Sequence, residues 1–330
     1  GKKRGICPMQ GKGNRILASV RGAWPGIMAV MICAVGLGVW ALVIPAPSQL
    51  GAEKFRAGLI KPKDIAFVPS VSKLRQMFAK MNYDLEAVRA GERMVPPLFL
   101  ASVPHDMRQI KQPHERKRMF LRMMLPLVLK ANEQVLERRA RLYELKEKLQ
   151  SAGALPEVDR LFLKALAKEY KLRKPDIDRL LIHVDVLPVS LALAQSAIES
   201  GWGTSRFTRE GNAPFGQWTT AQFNGIVPKD RPDGETYKIR SFEDLFGSVR
   251  SYIHNLNTHR AYRRFRATRA AMRQAGRKLD TFDLITTLRS YSEEGTNYID
   301  LLREVIAANR LAPLDRARLG KQLPKPAPDA

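Results

Sequence analysis

The sequence predicts an α+β fold that is mainly helical, with a small β-hairpin lobe, and with one transmembrane helix and a helical region ahead of the main domain. Three observations carry this expectation. Between residues 115 and 200, apolar residues recur three and four apart, the spacing of one helix face. Phe215 to Ile239 breaks that rhythm with Gly216, Gly225, Pro228, Pro232 and Gly234, and Thr236-Tyr237-Lys238-Ile239-Arg240 follows Asp233-Gly234 as a short β-like run. Ala23 to Ile44 is apolar and contains no charged residue.

The apolar segment comes first in the chain. At ~1.5 Å per residue it is long enough to cross a hydrocarbon core of ~30 Å. Lys2, Lys3, Arg4, Lys12, Arg15 and Arg21 precede it without a single acid. That asymmetry puts residues 1–22 in the cytoplasm as a basic segment, makes 23–44 an inner-membrane anchor, and sends everything beyond it to the periplasmic side. A cleaved signal peptide is the competing reading. Its apolar region is ordinarily only ~7–15 residues long, and Pro45-Ala46-Pro47-Ser48 offers no clean small-x-small cleavage site.

Residues 45–110 are punctuated by Pro45, Pro47, Pro62, Pro69, Pro96, Pro97 and Pro104, and read as a stalk lying partly on the main body. Leu74, Met77, Phe78, Met81 and Leu85 predict one helix within Val71 to Arg93. The helical region, 111–182, opens with Glu115 to Gln150, where Phe120, Met124, Leu127, Ala131, Val135, Leu142, Leu145 and Leu149 keep helical spacing. Pro126 removes one backbone donor there and predicts a kink. Packing on the main domain is the plain reading of this amphipathic helix; a partner-binding coiled coil is the alternative. Glu157 to Lys171 and a short segment from Pro175 supply two further helices.

The main domain is expected over 183–313. Pro188 opens an apolar helix that Gly201 and Gly203 end. After the hairpin lobe, Ser241 and Asp244 signal the start of the next helix, and others begin near Tyr262, Asp280 and Asn297. Residues 314–330 are rich in Pro, Lys and Ala and read as a disordered tail.

The chain's 56 Lys+Arg and 32 Asp+Glu give a formal charge of +24, which calls for anionic surroundings. No zinc-finger, RRM or KH signature is present, so membrane or wall polymer is favoured over nucleic acid as a partner. Ser248 to Lys278 holds nine of the cations, Arg250 through Lys278, and no acid. It is either a solvated helical face or a patch that grips anionic lipid or acidic peptide. The only cysteines are Cys7 and Cys33, so the exported part has neither disulfide nor thiol nucleophile. His183, His254 and His259 lack metal-site spacing and read as structural or capping residues. No metal or cofactor is expected, and the sequence does not indicate an oligomeric state.

The chemistry converges on Ala194 to Phe207, AQSAIESGWGTSRF. Glu199 lies in the last turn of its helix, at the negative end of the macrodipole. Ile198 and Trp202 would exclude water from it. Both effects favour the neutral acid and raise its pKa, as a glycosidase requires of the group that protonates the leaving oxygen. An exposed helix-end glutamate without a role is the bland alternative. Trp202, Phe215, Trp218 and Tyr237 belong either to the core or to a groove on which sugar rings stack.

Leu187 to Trp218, LPVSLALAQSAIESGWGTSRFTREGNAPFGQW, resembles the glucosaminidase family, the mannosyl-glycoprotein endo-β-N-acetylglucosaminidase-like enzymes. The likeness extends to Tyr252–His259 with Ala261-Tyr262, and to Tyr291–Gly295 with Tyr298, and covers residues 95 to 312 in all. It implies a lysozyme-like domain that hydrolyses the β-1,4 bond after N-acetylglucosamine in peptidoglycan. Glu199 matches the family's catalytic acid. Trp202, Phe215 and Trp218 match its groove motifs, Tyr291 and Tyr298 its tyrosine pair, and Gln195 and Tyr252 join the expected substrate-binding set. Asn212-Ala213-Pro214-Phe215 departs from the usual residues before the Phe. The second carboxylate is expected from the hairpin, where Asp230, Asp233, Glu235 and Glu243 are candidates and Glu235 ranks first. A lytic transglycosylase, needing one acid only, and a non-catalytic wall-binding membrane protein are the rival readings.

Overall fold

The computed structural model describes residues 65–219, 224–229, 231, 234–288 and 296–321. The expected anchor, residues 45–64 of the stalk, Asp230, Asp233, Tyr291 and residues 322–330 lie outside them. Among the described residues no helix is long and apolar enough to cross a membrane.

Two short strands, β1 (Ile65–Ala66) and β2 (Phe99–Leu100), pair in parallel. Between them the chain forms two helices where the pattern predicts one, α1 (Val71–Lys80) and α2 (Leu85–Ala90). Asn82 takes a left-handed φ of 46°, and the Asp84 side chain accepts from the Glu86 N–H as the cap of α2. Asn and Asp bond to local backbone more readily than they extend a helix, which overrides the apolar spacing. Val71, Leu74 and Phe78 of α1 are buried, so this part of the expected stalk is core. Fully burying each such side chain contributes roughly 1.5–3 kcal/mol.

Helix α3 (Pro113–Ala152) is 40 residues long and ends at Gly153, whose φ of 70° stops it. It continues through Pro126, which is buried. Helix α4 (Glu157–Glu169) and α5 (Ile177–His183) follow, α5 capped by Asp176 accepting from the Arg179 N–H. A linker, residues 184–188, then leads into α6 (Val189–Ser200), the helix of Glu199. The linker is fixed by a dense set of bonds. Asn132 of α3 donates to the Leu187 carbonyl at 2.8 Å and accepts from its N–H at 3.2 Å. Asp185, 1% exposed, accepts from both Nε and Nη2 of Arg273 at 3.0 Å. Arg139 and Arg269 stand 3.7 and 3.8 Å from the same carboxylate. Together these arginines hold its pKa below the usual carboxylate range against the opposing effect of burial.

Beyond α7 (Arg206–Gly211), which the sequence pattern does not indicate, the lobe expected as a hairpin is a three-stranded antiparallel sheet: β3 (Trp218–Thr219), β4 (Gly225–Ile226) and β5 (Lys238–Arg240), in the order β3-β5-β4. Trp218 and Ile226 both face Ile239, which is fully buried at the centre. Helix α8 (Leu245–Thr258) starts at Asp244, whose side chain accepts from the Gly247 N–H. Helices α9 (Arg263–Gln274), α10 (Thr281–Ile285) and α11 (Thr296–Ala308) complete the body.

The arginine-rich stretch is a solvated face at Arg250, Arg260, Arg263, Arg264, Arg277 and Lys278, but two of its arginines are buried. Arg269 is fully buried and donates to the carbonyls of Ile182, His183, Asp185 and Val186. Arg266, also buried, donates to Leu256 and His259. Long guanidinium side chains here satisfy the carbonyl ends of neighbouring segments, a requirement of any buried backbone. The histidines are structural in the same sense: His183 Nδ1 lies 2.8 Å from the Asn257 carbonyl, and burial lowers its pKa to about 4.

The body also reaches past residue 313. Leu314 is fully buried, and Val95 bridges Leu319. Asp315 accepts from the Ser190 N–H at 2.7 Å and from the Ser190 and Thr281 hydroxyls at 2.8 Å. The first residues of the expected tail thus anchor the start of α6. The Pro-Lys-Ala composition conceals them because the attachment rests on a few side chains, Leu314 and Asp315, and on backbone bonds that join Arg318 and Gly320 to Val95.

Candidate active site

Glu199 occupies the last turn of α6, and the backbone beyond it is unusual. Gly201, Trp202 and Gly203 take φ values of 56°, 59° and 79° in succession. Glycine adopts this region freely; for Trp202 it costs roughly 1–2 kcal/mol. Local bonds hold the conformation: the Trp202 N–H donates to the Ala197 carbonyl at 2.9 Å, and the Gly203 N–H to the Ser200 hydroxyl at 2.8 Å. At Gly203 a Cβ would lie 2.9 Å from Phe120 Cδ2 of α3, so the bend packs against the long helix with no room for a side chain. Trp202 is thereby placed edge-on to Phe120, ring centroids 6.0 Å apart, with the Lys117 ammonium 4.9 Å from its own centroid.

The carboxylate is half-buried. Burial drives its pKa up from 4.5 to about 7, and one hydrogen bond, from the Tyr298 hydroxyl to Glu199 Oε1 at 3.4 Å, opposes the shift. Among the described residues no second carboxylate contributes to that shift. Behind Tyr298 runs a directed chain. The Tyr252 hydroxyl donates to Gln195 Oε1, and Gln195 Nε2 donates to the Tyr298 oxygen at 2.9 Å. Because that oxygen accepts from the amide, the Tyr298 proton is left to point at Glu199. Burial foremost, and then the nearby Glu199 charge, keep the hydroxyls of Tyr262 and Tyr298 protonated; both also raise the Tyr252 pKa. Phe215 stacks on Tyr252, centroids 3.9 Å apart, and fixes the start of the chain.

The expected substrate-binding residues therefore divide. Gln195, Phe215, Tyr252 and Tyr298 are all buried, and sit beneath Glu199 as its support rather than as open groove walls. A glutamine, a phenylalanine or a tyrosine reads alike in sequence whether it faces solvent or core, so the sequence does not distinguish the two. Trp202 and Trp218 keep partial exposure, and Trp218 stacks on Tyr237 with centroids 4.0 Å apart. Glu235 is exposed in the segment leading into β5, and Glu243 is exposed at the foot of α8. Two contributors carry no site role in the sequence. Tyr262 lies close enough for the Glu199 charge to raise its pKa. Gly216, φ 57°, passes over the carboxylate, its Cβ position 3.8 Å from Glu199 Oε2. The glycine following Phe215 was the available signal.

We expect Tyr298→Phe to raise the Glu199 pKa further, since it removes the hydrogen bond that favours the ionised form. The high-pH limb of a rate profile should move to higher pH. An unmoved limb with reduced rate would make Tyr298 a packing residue only.

Residues 174–311 match the family model described as mannosyl-glycoprotein endo-beta-N-acetylglucosaminidase. The chain is 33% identical over 208 residues to Protein bax of Escherichia coli (strain K12), a match covering 61% of this chain and 72% of that protein. Among solved structures, the catalytic domain of the autolysin Auto from Listeria monocytogenes aligns over 52% of this chain and 96% of that domain, with 16% identity and a TM-score of 0.32.

Proposed function

The chain belongs to the glucosaminidase family, and from that membership and the geometry around Glu199 we propose that it hydrolyses peptidoglycan at the β-1,4 bond after N-acetylglucosamine. The observation that carries the reading is a half-buried carboxylate with a pKa raised to about 7, beside Trp202 and under Gly216. Near neutral pH a large fraction of such a group is protonated and able to donate to the leaving oxygen. Once it has donated, the Tyr298 hydroxyl stabilises the carboxylate that results. Gln195 keeps that hydroxyl aimed. The partly exposed rings of Trp202, Trp218 and Tyr237 supply apolar faces for sugar rings.

In this reading Glu235 is the base that activates water, and the expected loss for Glu235→Gln is about 100-fold in kcat. Undiminished turnover would remove Glu235 from the reaction and favour the substrate's own N-acetyl oxygen as an internal nucleophile. The domain is expected to work on the outer side of the cytoplasmic membrane, held there by residues 23–44. Fractionation with the protein in the soluble cytoplasm would overturn that placement.

The reaction is tested by incubating the full chain with purified peptidoglycan and analysing the fragments. New reducing N-acetylglucosamine ends are expected. Anhydro-sugar ends would make the enzyme a lytic transglycosylase, and retention on the polymer without cleavage would make it a binding protein.

A further inference from the structure

A second concave feature lies away from Glu199. It is a cleft of about 290 Å³ between α3, the end of α4, β5 and α8, lined by residues that include Arg138, Glu169, Arg240, Arg250, Ser251 and His254. Three guanidiniums, each from a different element, line it together with one carboxylate. Glu169 is already engaged, its Oε1 2.6 Å from Arg138 Nη1. Arg240 Nη1 donates to the Ser251 hydroxyl at 3.4 Å and its guanidinium lies 4.8 Å from the Phe242 ring centroid. The His254 ring nitrogen Nε2 is 2.9 Å from the Glu169 carbonyl. The lining of the cleft carries more positive than negative charge, and Arg250 registers it: burial and then repulsion from Arg138 lower its pKa against the opposing effect of Glu169 and Asp244. Gathering like charges in a concave, partly desolvated place is unfavourable unless an anion joins them.

We propose that this cleft binds a carboxylate of an acidic peptide branch carried on the glycan that Glu199 cleaves. The inference rests on the peptidoglycan reading given above. The placement suits a branched polymer. Arg240 donates its backbone N–H to Gln217 at 2.7 Å, and Gln217 follows Gly216, which covers Glu199. Ser251 directly precedes Tyr252, the start of the hydrogen-bond chain to the acid. Helix α8 links the two places: Arg250 and Ser251 line the cleft, and Tyr252 begins the chain that passes through Gln195 and Tyr298 to Glu199 on α6. With Arg240 tied to the strand that leads from Gly216, and α8 tied to the support of Glu199, a sugar backbone at Glu199 and a side branch in the cleft can be held together. Guanidiniums are suited to this because their forked donors match a carboxylate's two oxygens.

The test uses the full chain, with Glu199→Gln so that polymer is not consumed. Glutarate and inorganic phosphate serve as probes in calorimetric titrations, and peptide-bearing and peptide-stripped glycan are compared in retention assays. Glutarate should bind, and Arg240→Gln with Arg250→Gln should weaken it about ten-fold or more, as expected for lost charge-assisted hydrogen bonds. Peptide-bearing glycan should be retained more strongly than stripped glycan, and the double variant should reduce that preference. No glutarate binding, or equal binding by the double variant, overturns the assignment. Phosphate binding without glutarate binding also overturns it, in favour of a phosphate-bearing ligand. The two readings fail separately: absent cleavage by the wild type with glutarate still bound removes the reaction, whereas intact cleavage without glutarate binding removes the cleft.

Discussion

Glu199→Gln should lower turnover on peptidoglycan by about 10³-fold, the scale of a lost general acid, while making the folded protein more stable at alkaline pH. The second effect follows from the sign of the shift. Burial raises the Glu199 pKa from 4.5 to about 7. Between those values the folded protein holds a proton that the unfolded chain has released. Stability therefore falls as pH rises through that window, and the penalty is complete above the folded value. At ~1.4 kcal/mol per unit it amounts to about 3 kcal/mol. Glutamine has the same shape and never ionises, so it removes the penalty at pH 8 and changes little at pH 4. Thermal melts of both proteins at the two pH values, beside an activity assay, give the comparison. Equal cleavage by the variant would sink the assignment of the acid. A Tm difference independent of pH would sink the account of its burial.

Asp185→Ala should be among the most destabilising single changes in the molecule, at about 3–5 kcal/mol, because it strands charges that are already out of water. Arg269 is fully buried beside it, Arg139 is 8% exposed, and Arg273 spends two donors on its oxygens. Asp185→Asn keeps a hydrogen-bonding oxygen and loses only the charge, so it should fall between the wild type and the alanine variant. Denaturant unfolding of the three proteins orders them. If the alanine variant unfolds within about 1 kcal/mol of the wild type, the arginines are solvated after all.

Much of this was legible in the sequence. Helical spacing located α3, α4, α6 and α8 to within a few residues; α4 and α8 bury one apolar face, while α6 and the middle of α3 are apolar and buried nearly all round. The setting of Glu199 was legible because Gly-Trp-Gly marks an abrupt helix end beside a carboxylate. Two kinds of information were hidden. Arg266 and Arg269 carry the residue type of a solvated face yet are buried, and the carbonyls they meet explain it, those of Leu256 and His259 for Arg266 and those of the distant segment from Ile182 to Val186 for Arg269. The depth of Tyr252 and Phe215 depends likewise on what packs over them. Leu314 and Asp315 were hidden by composition, which averages away a few decisive contacts.

Helix α3 also bears on where the catalytic unit can be cut. The family match begins at residue 174, which invites expression of 174–311 alone. That excision would discard Phe120, on which Trp202 and Gly203 rest, Asn132, which holds Leu187, and Arg139, which faces Asp185. It would also remove Asp315 from the first turn of α6. The matched segment is therefore a unit of sequence descent and not a unit of folding. The shortest piece that keeps the acid in its setting must retain the long helix upstream and the stretch through Leu319 downstream.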